Sequence, residues 1–186
     1  MLRVDRVESL RGDPCHLVSP QEAAAALFRG QRRVLCDRPD AALFADREEH
    51  RLQAVRQLAP AHHVRPSLLS PVLRASFFAL GAAAGLAPRN LSAAVGAGVQ
   101  DALVDVYNEQ LRQLRVAGLA DVEPEVRHTI MQLRDDERTI EGAPQAPDLL
   151  PYLAGSRRLS ELTVEEGVAA VVKFGARLSL EITRRI

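Results

Sequence analysis

Tryptophan is absent from this chain of 186 residues, and aromatic residues make up 4% of it. Lysine occurs once, at Lys173, and every other basic side chain is arginine. Runs of β-branched or aromatic residues are missing, so a sheet-built core is not expected. Net charge is zero, with 24 basic residues against 24 acidic, so nothing suggests a nucleic-acid partner. Cys15 and Cys36 form no CxxC pair and match no metal spacing. Lone thiols fit a reducing compartment, and the opening MLRVDRVESLRGD lacks the apolar stretch of a secretory signal. A cytoplasmic location is the expectation. No nucleophile-elbow motif and no glycine-rich phosphate loop before a helix is present, which leaves the commoner hydrolase and nucleotide-binding chemistries without support.

What is present is alanine and leucine in a chain that is 47% hydrophobic, a composition that favours helix. Residues 1–18 read as an irregular arm, and 19–186 as one helical domain. Ser19-Pro20-Gln21-Glu22 has the form of a capping box with proline at the first helical position, predicting a helix over 20–35. A second helix follows over 41–59, with Leu43, Phe44, Leu52, Val55 and Leu58 as its apolar members. Prolines 60, 66 and 71 punctuate the next connection. The stretch 72–87 carries Arg74 as its one charge. It is too short for a confident membrane span, and its apolarity all round implies either burial in the bundle or contact with lipid. Asn90 is placed to cap a long helix over 91–117, in which Gln100 lies two turns before Tyr107 on nearly the same face. Gly118 stops it. Pro124 opens a further helix to about residue 140, capped by Asp121 or Glu123, and 142–151 reads as a loop. Thr163 and Glu166 form a second capping box before an amphipathic helix over 164–186. Six helices and no strand predict an all-α antiparallel bundle.

Four stretches in order go further. Arg65-Pro66-Ser67-Leu68-Leu69-Ser70-Pro71 followed by Phe78-Ala79-Leu80-Gly81, then Tyr107-Asn108-Glu109-Gln110-Leu111-Arg112, then Leu133-Arg134-Asp135-Asp136-Glu137, and the terminal helix from Gly175-Ala176-Arg177 to Ile186 resemble the demethoxyubiquinone hydroxylase family. Its members are ferritin-like proteins of ubiquinone biosynthesis. The resemblance covers roughly 20–186. It implies a four-helix bundle carrying two irons, held by a glutamate from each of two helices and an ExxH from each of two others. Four carboxylates would neutralise the metal charge, and two imidazoles would complete the shells.

Transferred residue by residue, that pattern breaks. Phe28-Arg29-Gly30-Gln31 resembles the family's first-helix motif and sets the first ligand position at Gln21, beside Glu22. A rival register through Leu2-Arg3-Val4-Asp5 sets it at Ser9, beside Glu8. The second-helix ExxH falls on Arg47-Glu48-Glu49-His50, the long-helix glutamate on Gln100, and the last ExxH on Glu137-Arg138-Thr139-Ile140. Of the six positions Gln21, Arg47, His50, Gln100, Glu137 and Ile140, two keep a ligand. The expectation is a degenerate diiron site and a pseudoenzyme without cofactor. Arg47 and Glu137 would form an ion pair in the former site, with Gln100 and His50 closing the hydrogen-bond network. Such a protein would bind a quinone or other isoprenoid lipid, or a partner protein of quinone biosynthesis. Phe77, Phe78 and Leu80 would meet lipid at the inner face of a membrane. The alternative is an active hydroxylase or other oxidoreductase whose iron or manganese sits in a site rebuilt from Glu22, Asp46, His50, Glu137 and Glu141. A third reading is an interaction domain without ligand, using 72–87 as core or as a homodimer face.

Overall fold

The computed structural model describes residues 15–36, 39–58, 70–116, 118, 124–138 and 146–185. Among them every regular element is helical. Six long helices are α1 (Cys15–Val34), α2 (Pro39–Leu58), α3 (Ser70–Leu86), α4 (Arg89–Val116), α5 (Pro124–Arg138) and α7 (Val164–Arg185). A one-turn helix, α6 (Leu150–Leu153), and a 3-10 turn (Leu159–Glu161) lie between the last two. The bundle expected from composition is therefore observed.

α1 is the axis of the packing. From Pro20 to Gln31 it is buried at every position except Arg29, which is partly exposed. Four consecutive alanines, Ala23 to Ala26, make this possible, because small side chains let neighbours approach from all sides. α2 and α3 pack on it, and α4 and α7 touch it. The closest approach is to α3. A Cβ on Gly81 would sit 1.9 Å from the Leu27 carbonyl oxygen, and one on Gly30 would sit 2.2 Å from the Phe78 carbonyl oxygen. Only hydrogen fits at either position. α1, α2, α5 and α4 close a ring, each packed on the next. Leu27, Leu52, Val99, Leu103 and Tyr107 fill it, each at most 1% exposed. Burial of each such aliphatic side chain stabilises the fold by about 1.5–3 kcal/mol.

Several boundaries differ from the sequence reading. α1 begins at Cys15, so residues 15–18 are helical rather than irregular; residues 1–14 lie outside the described residues. Pro20 stands inside α1, and Ser19–Glu22 is not a cap. The reason is that Gln21 and Glu22 turn inward, to Tyr107 and to Arg56 and Ser70, instead of back onto the helix terminus. Asn90 lies within α4 and donates its amide to Glu165 on α7 rather than capping. The Ser92 amide reaches back to the Pro88 carbonyl, so the chain is already helical there. Part of the expected 142–151 loop is the α6 turn. The Thr163 cap forms as expected: Glu166 donates its amide to Thr163 Oγ1 at 3.2 Å and accepts the Thr163 amide at 2.9 Å. In α2, Leu43 is 70% exposed and no core member. In α3, Phe77 is buried against α1 with Leu73, so it is unavailable to lipid; Phe78 is exposed and Leu80 partly so. The Asp121 and Glu123 caps, the prolines at 60 and 66, and residues 139–141 fall outside the described residues.

Candidate functional site

The centre of the α1–α2–α5–α4 ring is polar. On α2 the inward stripe runs Ala41, Ala45, Glu48, Leu52 and Val55, at steps of three and four residues. Glu48 is therefore carried into the core by its apolar neighbours, and Arg51, one turn on, follows it. On α5 the stripe is Ile130, Leu133 and Glu137. Arg51 lies between the two carboxylates. Its Nη1 donates to Glu48 Oε1 at 2.6 Å and to Glu137 Oε1 at 2.7 Å. All three residues are at most 6% exposed. On α1, Gln21 is fully buried and donates Nε2–H to the Tyr107 hydroxyl of α4 at 2.5 Å. Gln100, two turns before Tyr107, is buried as well.

Two buried carboxylates with one guanidinium carry a surplus negative charge, and the acid–base properties reflect it. Burial and the neighbouring Glu48 push the Glu137 carboxyl up to about 8, against the opposing pull of Arg51 and Arg47. Glu48 is raised too, chiefly by burial. Burial works against the Arg51 charge, but Glu137, Glu48 and Asp136 outweigh it and hold the guanidinium firmly protonated. Tyr107 is raised well above the usual phenol range by burial and by the two glutamates, so its hydroxyl stays neutral. Gln21 Oε1, Glu48 Oε2, Arg51 Nη2 and Glu137 Oε2 are buried without a protein hydrogen-bond partner. A proton on the glutamate pair satisfies both the charge and one of these oxygens.

The positions named from the sequence divide cleanly. Gln21, Gln100 and Glu137 reach the centre. Arg47 does not: its Nη2 donates to the Asp136 carbonyl on the partly exposed outer side, at 2.7 Å. The expected Arg47–Glu137 ion pair is thus replaced by Arg51–Glu137. His50 is exposed and outside the network. The inward glutamate and the residue three positions later are Glu48 and Arg51, one step along from the expected Arg47 and His50. Leu52 supplied the signal, since a buried leucine directly after the second position anchors the register. Of the rebuilt metal set, Glu22, Asp46 and His50 are directed elsewhere. Asp46 is exposed and paired with Arg32 at 2.7 Å. Glu22 accepts from Arg56 at 2.9 Å and from Ser70. Glu141 and Ile140 lie outside the described residues. Among the described residues no group of three or more histidine, cysteine, aspartate or glutamate side chains is arranged to hold a metal ion.

Comparison with known proteins shows what the chain is similar to. The profile of the family described as Ubiquinone biosynthesis protein COQ7 matches residues 21–146. The NADPH-dependent 3-demethoxyubiquinone 3-hydroxylase, mitochondrial, of Dictyostelium discoideum is 37% identical over 117 residues, 61% of this chain and 53% of that protein. Its namesake from Rattus norvegicus is 33% identical over 134 residues, 71% of this chain and 59% of the relative. The 5-demethoxyubiquinone hydroxylase, mitochondrial, of Saccharomyces cerevisiae is 32% identical over 126 residues, 60% of this chain and 54% of the relative. The chain spans a little over half the length of these relatives.

Proposed function

Because this chain belongs to the COQ7 family of ubiquinone biosynthesis proteins, and because a guanidinium fills its bundle centre, we propose that it is a metal-free, non-catalytic member that binds a quinone or other isoprenoid lipid. The observation that carries the proposal is Arg51, held at 2.6 and 2.7 Å between Glu48 and Glu137. The diiron site implied by the family needs four carboxylates and two imidazoles, and the described residues at the centre offer two carboxylates and no imidazole. Each of those carboxylates already accepts from Arg51. A unit charge about 4 Å from the guanidinium is repelled by about 4 kcal/mol at a near-surface effective dielectric, and a divalent ion by about twice that. Arginine cannot relieve this by losing its proton. The donor set therefore does not fit two irons, and no oxidative step is assigned to it.

Support for a lipid-facing role comes from α3. Its buried side packs on α1, while Val72 and Leu86 stand 62 and 79% exposed on the other side and Phe78, flanking the α1 contact, is 42% exposed. An apolar helix face of this kind suits peripheral contact with the inner face of a membrane. Among the described residues no helix is long and apolar enough to cross one.

The deciding experiment is elemental analysis of the folded protein purified from cells supplemented with iron and manganese, paired with a thermal-shift titration using a short-tailed ubiquinone analogue. The expected result is far less than one metal per chain and a rise in Tm with the quinone. About two metals per chain would overturn the reading of Arg51. A metal-free protein whose Tm ignores the quinone would leave the fold without this ligand and turn the assignment toward a protein partner of quinone biosynthesis.

A further inference from the structure

α7 has two apolar faces, and the bundle uses one. Ala169, Ala170, Ala176 and Leu180 are buried on the side that meets α4 and α1. Ion pairs fix this orientation: Lys173 and Arg177 reach Asp105 of α4 at 3.4 and 3.3 Å. The opposite face carries Val164, Val171, Phe174, Leu178 and Ile182, exposed by 69, 58, 39, 51 and 47%. With Gly175, and with Val168, which is half-buried between this face and the core, the positions 164, 168, 171, 175, 178 and 182 alternate in steps of four and three. That is the spacing of a seam between two helices, and no charge interrupts it. Room is available along it, since a Cβ at Gly167 or Gly175 would meet nothing within 4 Å.

We propose that this face pairs with the α7 of a second copy of the chain, antiparallel, about a two-fold axis near position 173. In this register Ile182 meets Val164 of the second copy and Leu178 meets Val168. Val171 meets Gly175, and the two Phe174 rings flank the axis. Every seam position is used, and larger side chains face smaller ones. The helix dipoles select the direction. Antiparallel pairing opposes them, whereas parallel pairing sets like ends against each other. The exposed apolar side chains cover about 500 Å² per copy, roughly 1,000 Å² for the pair, which is the threshold for a biological interface and suits a weak dimer. This pairing is independent of what the bundle centre binds.

Sedimentation velocity of the full chain at about 50 µM tests the proposal. A dimer is expected, and Leu178→Glu is expected to weaken it at least tenfold while far-UV circular dichroism holds. Direction is tested by crosslinking in a Cys15→Ser/Cys36→Ser background. Two copies of position 164 are about 27 Å apart in the antiparallel register, from a rise of 1.5 Å per residue. Val164→Cys and Ile182→Cys chains should therefore form a disulfide when mixed and none alone; this readout stands even if Leu178→Glu fails to fold. A monomer at that concentration overturns the proposal, as does a dimer indifferent to Leu178→Glu or one in which Ile182→Cys crosslinks to itself. A monomer that floats with phosphatidylcholine–phosphatidylglycerol vesicles, and stops floating on Leu178→Glu, assigns the face to lipid and equally overturns it.

Discussion

Replacing Arg51 by methionine keeps much of the side-chain volume and removes the charge. In the folded chain Glu48 and Glu137 then stay buried, at 1 and 4% exposure, with no cation between them. Removing one partner of a buried ion pair costs about 3–5 kcal/mol, most of it the penalty of an uncompensated charge. Arg51 serves two carboxylates, so the upper part of that range is expected at pH 8. Two further variants separate the charge effect from simple loss of packing. Glu137→Gln added to Arg51→Met should recover a large part of the loss. Adding Glu48→Gln as well should bring the protein close to its starting stability, because matched removal of a buried ionic group is often neutral. Urea unfolding followed at 222 nm reads this directly, provided the slope of free energy against urea is unchanged. A loss below about 1 kcal/mol for Arg51→Met at pH 8, or strictly additive losses across the series, would refute the placement of the guanidinium between the carboxylates.

The titration of Glu137 gives a second prediction. Its folded value of about 8 lies above its ordinary 4.5, so between those values the folded chain holds a proton that the unfolded chain has released. Its contribution is full below pH 4.5 and is lost as pH rises toward 8; from pH 6 to pH 8 the loss is about 2 kcal/mol. Glu137→Gln should flatten that slope in urea unfolding, and an unchanged slope would contradict a shared proton. Tyr107→Phe leaves the buried Gln21 amide without its 2.5 Å acceptor and should cost about 1–3 kcal/mol, partly recovered by Gln21→Leu. Gly81→Ala drives a Cβ to 1.9 Å from the Leu27 carbonyl oxygen and should cost about 2 kcal/mol or more. Gly167→Ala, with nothing within 4 Å, should gain up to about 1 kcal/mol. Calorimetric Tm values of the two glycine variants moving together would contradict the close α1–α3 contact.

The helices were legible because their evidence is local. Tyr107 and Gln100 sit two turns apart, and the Thr163–Glu166 box caps α7 as its sequence pattern predicts. The start of α1 was not legible for the opposite reason. Ser19-Pro20-Gln21-Glu22 has the composition of a cap, but Gln21 bonds Tyr107, 86 positions away, and Glu22 bonds Ser70, 48 positions away. Tertiary partners outweighed a local motif worth about 1 kcal/mol. The one-residue error on α2 has a related cause. Aligning the one histidine of α2, His50, to a family histidine preserved residue identity and ignored burial. The three-and-four stripe through Ala45, Leu52 and Val55 points Glu48 inward and leaves His50 outside. Periodicity was the better guide there, because exposure of a charge is set by its helix face and not by its name.

On the proposed metal-free reading, charge balance ties the central residues to one another. The implied diiron centre brings four positive charges, and four carboxylates answer them. A guanidinium brings one. Had all four carboxylates remained around Arg51, the ring would hold three uncompensated negative charges in a space lined by Leu27, Leu52, Val99 and Leu103, a cost no core of this size withstands. Glutamine at positions 21 and 100 removes two of those charges while keeping side chains of the same length. Gln21 also has an amide to give to Tyr107, which an ionised glutamate lacks. The remaining surplus of one is the size of a single proton, and Glu137 is the group positioned to hold it near neutral pH. On that reading Arg51, Gln21 and Gln100 act as one unit rather than three. Replacing Arg51 by histidine alone would leave two buried carboxylates facing a neutral imidazole. Stability should then fall by about as much as in Arg51→Met at pH 8, and recover only as pH drops far enough to protonate the imidazole or a glutamate. A histidine variant as stable as the parent at pH 8, with no metal bound, would show that the centre tolerates the uncompensated charge and that the coupling between Arg51 and the two glutamines is accidental.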